Sequence, residues 1–163
     1  MVALMILSKK FDKADKSERK KIYDFYLKNI GGVNNWDLVD GSASNIIGKY
    51  LFESKASRQF LFDFARSENL WKRRIAMMST FFYIKQNDFQ DALRISEILL
   101  NDKHDLIHKA VGWMLREIGN RDLNVEEGFL RKYYKKMPRT MLRYAIEKFP
   151  ETKRKAYLKG DIV

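Results

Sequence analysis

Residues 67–76 read SENLWKRRIA, and residues 102–111, which begin 35 positions later, read DKHDLIHKAV. Each stretch opens with a residue that can cap a helix, and the basic Arg74 of the first aligns with the basic Lys109 of the second. A weaker third copy, RTMLRYA, occupies residues 139–145. A period of this length with two helices in each unit is typical of α-solenoids of the HEAT or armadillo kind.

Helical periodicity covers nearly the whole chain, and we find no convincing strand. Caps and apolar stripes predict helices after Asp15, from Ser42, from Ser57, and over residues 70–85, 89–100, 105–119, 125–136, 138–149 and 151–159. Ser67 and Asp102 are the predicted caps of the two aligned copies. We therefore expect an all-α fold, an α-α superhelix of HEAT-like repeats, in a single domain over residues 1–163. The alternative is a plain helical bundle whose similar helix lengths imitate a repeat.

The composition excludes several classes of protein. The chain has no Cys, which rules out disulfides, thiolate metal sites and a cysteine nucleophile. With 8 Gly and 2 Pro the chain has too few glycines and prolines for collagen or for the many turns of a β-sandwich. Its 13% aromatic content argues against disorder. The apolar run at residues 1–7 is too short to span a membrane and lacks a signal peptide's flanks. We expect a cytoplasmic protein, associated with the nucleoid in a prokaryote.

Positive charge is concentrated in two places. The formal net charge is +11, and residues 131–159 carry eleven Lys and Arg against only Glu147 and Glu151. A second cluster, Lys72-Arg73-Arg74, begins the longest predicted helix. Such an excess favours a polyanionic partner, nucleic acid above all, over a merely solvated surface.

Two stretches combine aromatic and charged residues at helical spacing. In NNWDLVD at residues 34–40, Trp36 and Asp40 are four apart and would together attract a cationic group; Asp37 is the natural alternative, as a helix cap or as the partner of a nearby Lys. The competing interpretation makes Trp36 a core residue and Asp40 a helix cap. In residues 107–119, Lys109, Trp113 and Arg116 share a helix face that suits a phosphodiester, or else form a half-buried Trp flanked by bases.

Two further features of the same region have simpler interpretations. Gly112 within a helix indicates close approach of a neighbouring helix or a ligand. His104 and His108 are spaced like zinc ligands, but the glutamate of a zinc protease motif is absent, so we expect cap and surface positions and no metal site.

These stretches resemble the AlkD-like family of DNA alkylation repair enzymes. The matching segments are NWDLVD at 35–40, LWKRRIA at 70–76, HKAVGWMLRE at 108–117 and MPRT at 137–140. The resemblance implies a HEAT-repeat solenoid that wraps double-stranded DNA containing alkylated bases in a basic concave cleft. It also implies a glycosylase that hydrolyses the N-glycosidic bond of N3- and N7-alkylated purines without metal or cofactor. The alternative is a non-catalytic helical-repeat module that binds DNA or a partner protein.

The resemblance also implies residue roles. Asp40 corresponds to the catalytic aspartate, Trp36 and Trp113 to the tryptophans that face the sugar, and Arg74 and Arg116 to arginines that contact phosphate. Further basic residues are expected on the DNA-binding surface: Lys72, Arg73, Lys109, Arg139 and Arg143.

Family members are longer at the N-terminus, where their first helices have no counterpart before Ala3. We therefore expect a domain that is truncated relative to the family. An uncovered repeat face would favour self-association.

Overall fold

A computed structural model describes residues 2–162, and all of their regular secondary structure is helical. The α-helices are α1 (Val2–Lys13), α2 (Lys16–Lys28), α3 (Trp36–Ala43), α4 (Lys49–Ser54), α5 (Gln59–Ala65), α6 (Leu70–Lys85), α7 (Gln90–Ile98), α8 (Asp105–Gly119), α9 (Leu123–Tyr133), α10 (Arg139–Ala145) and α11 (Glu151–Lys159). Within this range no helix has both the length and the apolar character that a membrane crossing requires.

The helices stack as repeats in two layers. Helices α3, α6, α8 and α10 pack side by side in that order, and we call them the α3–α6–α8–α10 row. Helices α5 and α7 pack against α6, and α7 and α9 pack against α8, so the intervening helices form the second layer. The prediction of an all-α solenoid of helical repeats is confirmed.

The aligned copies keep their 35-residue offset, but their caps were predicted at the wrong residues. Asn69 caps α6 by accepting hydrogen bonds from two backbone N–H groups, and His104 caps α8 through its Nδ1. Ser67 and Asp102 instead accept a hydrogen bond from the backbone N–H of these capping residues. Each copy therefore begins with the same two-residue arrangement, in which a polar side chain supports the cap that follows it.

The prediction that a helix begins at Ser42 is wrong. The helix begins at Trp36 and continues through α4, with Ser42 fully buried inside it. The Ser42 hydroxyl donates to the carbonyl of Leu38 at 2.5 Å and lies 2.8 Å from the hydroxyl of Tyr26. A serine hydroxyl can donate a hydrogen bond to a carbonyl of the preceding helical turn, or it can cap the start of a helix. The sequence does not distinguish these two roles.

Between α3 and α4 the helix takes one wide π turn, Ser44–Gly48. In a regular α-helix, Asp40 and Gly48 would lie about 80° apart around the helix axis. The π turn contains one extra residue, which offsets about 100° of this rotation and leaves the two residues about 20° apart. Both residues therefore face α6. A Cβ atom at Gly48 would collide with the carbonyl oxygen of Ser79, so α6 approaches there at a distance that only glycine permits.

The prediction of close approach at Gly112 is confirmed, and the neighbour is a helix. A Cβ atom there would collide with the Met141 carbonyl oxygen and with Tyr144 in α10. Helices α8 and α10 consequently pack backbone to backbone, which shapes the surface groove between them.

Candidate functional site

Asp40 and Arg74 form a two-point ion pair between α3 and α6. The Arg74 Nε donates to Oδ1 of Asp40 at 2.9 Å, and its Nη2 donates to Oδ2 at 2.6 Å. The remaining Nη1 donates to the Leu106 carbonyl oxygen in α8. A guanidinium engaged at both edges has little rotational freedom, so it fixes the plane of the carboxylate.

The burial of this pair is unequal. The side chain of Arg74 is 6% exposed, whereas that of Asp40 is 17% exposed. Two oxygens of a carboxylate offer about four lone-pair directions, and Arg74 uses two of them. Asp40 therefore keeps acceptor capacity toward the surface, and because no helix begins at Ser42, its alternative role as a cap there is wrong.

Trp36 lies at the first position of α3, one turn before Asp40. It is 54% exposed, which contradicts the alternative that made it a core residue. Asp37, the other candidate carboxylate, uses its Oδ1 to accept a hydrogen bond from the backbone N–H of Leu38. An exposed indole and a carboxylate one turn apart leave a site at which a cationic group can be attracted.

Trp113 in α8 is half-buried and held on two sides. Its Nε1 donates to Oε1 of Glu117 at 3.2 Å, and its ring packs on Phe81 of α6 with centroids 5.8 Å apart. Glu117 in turn accepts a hydrogen bond from Arg121. Neither Phe81 nor Glu117 was identified from the sequence, although the spacing of Glu117 four residues after Trp113 is a signal that could have indicated it.

A polar groove of about 730 Å³ lies beside this site, between α8, α10 and the start of α11. We call it the α8–α10 groove; its lining residues are Asp105, Lys109, Arg116, Thr140, Arg143, Tyr144, Glu147 and Arg154. The Leu106 carbonyl oxygen, which accepts a hydrogen bond from Arg74, lies one turn before Lys109 on α8, so the groove adjoins the Asp40–Arg74 pair. The sequence predicted Lys109, Arg116 and Arg143 as DNA contacts, whereas it indicated Arg154 only as one cation of the basic cluster at residues 131–159.

Three of the four groove cations are paired with carboxylates: Arg154 forms an ion pair with Glu151, and Lys109 and Arg116 are paired with carboxylates that line the groove itself. Lys109 lies 2.8 Å from Asp105, and their hydrogen bond raises the pKa of the Lys109 ammonium and lowers the pKa of the Asp105 carboxyl. Arg116 forms an ion pair with Glu147. Arg143 is exposed, and within residues 2–162 it has no ion-pair partner.

The remaining predicted DNA contacts already have partners within the chain. Arg73 donates to Asp102 at 2.6 Å and to two carbonyl oxygens of the preceding loop. The Lys72 ammonium lies 5.4 Å from the centre of the Phe64 ring, and Arg139 donates to the carbonyl of Leu158. Their contact with DNA stays a prediction.

Every predicted site residue lies on the α3–α6–α8–α10 row. Helix α3 carries the first tryptophan and the aspartate, α6 the triple-basic cluster, α8 the second tryptophan with its flanking bases, and α10 two arginines. Within the described residues, direct bonds join α3, α6 and α8 through Arg74, while neither Trp36 nor Trp113 has a recorded bond to Asp40.

A family model described as "DNA alkylation repair enzyme" matches residues 1–149. The chain belongs to this family. Membership makes the chain a DNA alkylation repair enzyme, with DNA as its substrate. No curated protein gives a significant match to the sequence.

Proposed function

We propose that this member of the DNA alkylation repair family is a DNA glycosylase that hydrolyses the N-glycosidic bond of N3- and N7-alkylated purines in double-stranded DNA. The proposal rests on the Asp40–Arg74 pair, which holds a carboxylate at the surface beside an exposed indole. The product would be a free alkylated base and an abasic site, the start of base excision repair.

The residues present suit a reaction in which the leaving group is already activated. An N3- or N7-alkylated purine carries a positive charge, so it departs as a neutral base once the C1′–N9 electron pair moves onto the purine ring. No general acid is needed for that departure. Positive charge then develops on the deoxyribose, as in other glycosidic cleavages.

In this proposal Asp40 stabilises the developing charge at C1′ and orients the water that attacks it. The water oxygen bonds to C1′, and the proton that it loses passes to Asp40 or to bulk water. Because Arg74 fixes the carboxylate in advance, no reorganisation is required during the reaction. Trp36 and Trp113 would hold the cationic sugar by their ring faces, and Arg116 would contact a flanking phosphate.

A second candidate function is a non-catalytic module that binds DNA or a partner protein. The hydrogen bonds that Arg73, Arg139 and Trp113 make within the chain favour this second candidate, because they give these residues a structural role. The two candidates differ in what they require of Asp40: the glycosylase needs its carboxylate for the reaction, whereas a binding module needs it only as the partner of Arg74.

The decisive experiment measures base release from duplex DNA that carries 7-methylguanine. We expect Asp40→Asn to lower the single-turnover rate by about 10²- to 10³-fold, the usual effect of removing one electrostatic stabiliser. Duplex affinity, measured by fluorescence anisotropy, should change little. Asp37→Asn, three residues earlier on the same helix, is the matched control and should release base at the original rate.

Two outcomes would contradict the glycosylase proposal: undiminished release by Asp40→Asn, or no release by the unmodified chain that nonetheless binds DNA. If Asp40→Asn does not fold because Arg74 has lost its charged partner, Asp40→Glu is tested in its place. A folded glutamate variant keeps the charge but displaces it by one methylene, so its release should also fall.

A further inference from the structure

The α8–α10 groove contains its own substitutes for phosphate. Its cations Lys109 and Arg116 each contact a carboxylate that lines the same groove, Asp105 and Glu147 respectively. A carboxylate offers a guanidinium or an ammonium the same charge-assisted hydrogen bonds as a phosphodiester oxygen. In the free protein these two cation positions are therefore occupied.

The pairs differ in how readily they open. Asp105 and Lys109 lie one turn apart on α8, and their side chains are 53% and 41% exposed. Arg116 is only 19% exposed, whereas Glu147 lies in the short 3₁₀ helix after α10 and is 53% exposed. Glu147 can thus swing into solvent while Arg116 stays in the groove.

Glu147 is also the less constrained of the two carboxylates. Asp105 lies in the first turn of α8, and Lys109, helped by the side chain of Thr140, lowers the pKa of the Asp105 carboxyl. For Glu147, Arg116 is the only bonded partner recorded among residues 2–162. Changing Glu147 therefore frees Arg116 without removing another contact.

We propose that Asp105 and Glu147 occupy the phosphate positions of the α8–α10 groove in the free protein and that the DNA backbone displaces them. The two carboxylates would then weaken binding to any duplex, so that undamaged DNA dissociates quickly. The inference rests on the proposed DNA-binding function of this groove, but it does not depend on which base is released.

The energetic size of the effect follows from the exposure of the pairs. An exposed ion pair is worth a factor of about two to five, and a carboxylate left near a phosphate adds a screened repulsion. We expect Glu147→Gln to bind an undamaged 20-base-pair duplex about three- to tenfold more tightly at low salt. The gain should shrink as salt is raised, because both terms are screened.

The test is a set of anisotropy titrations with that duplex. Asp24→Asn is the matched control, since it removes one negative charge and breaks the exposed Lys20–Asp24 pair outside the groove. Glu147→Gln should bind more tightly than both the unmodified chain and this control. In an Arg116→Gln background the same substitution should lose most of its effect, because the cation that it releases is absent.

The proposal is overturned if Glu147→Gln gains no more than the control, or if the full gain persists in the Arg116→Gln background. The first result would mean that Glu147 does not compete with phosphate, and the second that only net charge matters. Absence of duplex binding by the unmodified chain would defeat the proposed function itself, and release of 7-methylguanine, measured in parallel, separates these cases.

Discussion

At the scale of single residues, Glu126 is the most unusual titratable group outside the site. It is 1% exposed in α9, its Oε1 has no hydrogen-bond partner among the described residues, and its Oε2 lies where a Cβ atom of residue 119 would be. Burial raises its pKa to about 8, with repulsion by Glu127 adding to the effect and Arg116 and Lys153 opposing it. The native chain therefore holds this carboxyl protonated at neutral pH.

This protonation predicts a pH-dependent stability. Between the ordinary glutamate pKa and about 8, the folded state binds a proton that the unfolded state has lost, so stability falls as pH rises through this window and then levels off. We expect Glu126→Gln to remove this decline. Its advantage in urea unfolding should be larger at pH 9 than at pH 5, by a few kcal/mol.

The exposed Glu97→Gln is the control for Glu126, and its stability should follow that of the unmodified chain at both pH values. Parallel pH profiles for Glu126→Gln and the unmodified chain would show that the buried carboxyl is not neutral in the fold.

The residue types of the candidate site were predictable from sequence, but their pairing was not. Trp36 and Asp40 are four apart, and this spacing alone indicates a shared face. The bond between Asp40 and Arg74 joins residues 34 positions apart. That contact depends on how two repeats dock, and the resemblance that implies a phosphate contact for Arg74 carries no information on the burial of its side chain.

At the scale of secondary-structure elements, the wide turn Ser44–Gly48 decides how α3 and α4 meet α6. It places Asp40 and Gly48 on one face, so that the ion pair and the close helix contact form together. Local sequence does not encode such a turn clearly, because SNIIG is equally compatible with a regular helix.

The turn can be tested by removing its extra residue. Asn45 is exposed, and its side chain only reaches back to the Gly41 carbonyl at 3.3 Å. Deletion of Asn45 should restore regular helix geometry with Asp40 and Gly48 about seven residues apart, which is about 20° short of two full turns, so both residues should still face α6. We therefore expect the melting temperature of the deletion variant to stay within about 4 °C of the original.

Asn45→Ala keeps the residue count and is the control; its melting temperature should stay within about 2 °C of the original. A deletion variant that melts about 10 °C or more below this alanine variant would mean that the wide turn does more than accommodate one extra residue.

At the scale of the whole molecule, the net charge of +11 does not measure how many cations can bind DNA, because many of them are paired with carboxylates of the same chain. Ion pairs within the C-terminal basic region engage Lys153 with Glu127, and Arg154 and Lys155 with Glu151. The charge excess was correct as a sign of a polyanionic partner. Sequence counts charges without their partners, so it does not show which of these cations are available to contact phosphate.

The groove predicts how binding responds to salt. If its four cations each neutralise one phosphate, the slope of log K against log salt is about −3.6, and raising salt from 50 to 200 mM weakens binding about 150-fold. Anisotropy titrations at several salt concentrations measure the slope, and Arg143→Ala should flatten it by about one. A slope weaker than about −2 for the unmodified chain would exclude the groove as the main phosphate-binding surface.

Arg74 bonds to α3 on one side and to α8 on the other, and these partners lie 34 and 32 residues away in the chain. Stacked repeats open and close locally, each depending on its neighbours. The aspartate is therefore held in place only while three adjacent parts of the stack are closed at once. Amide hydrogen exchange in the first turns of α6 consequently reports on the fraction of molecules in which the site is assembled, and any change that loosens either neighbour lowers that fraction without touching the site.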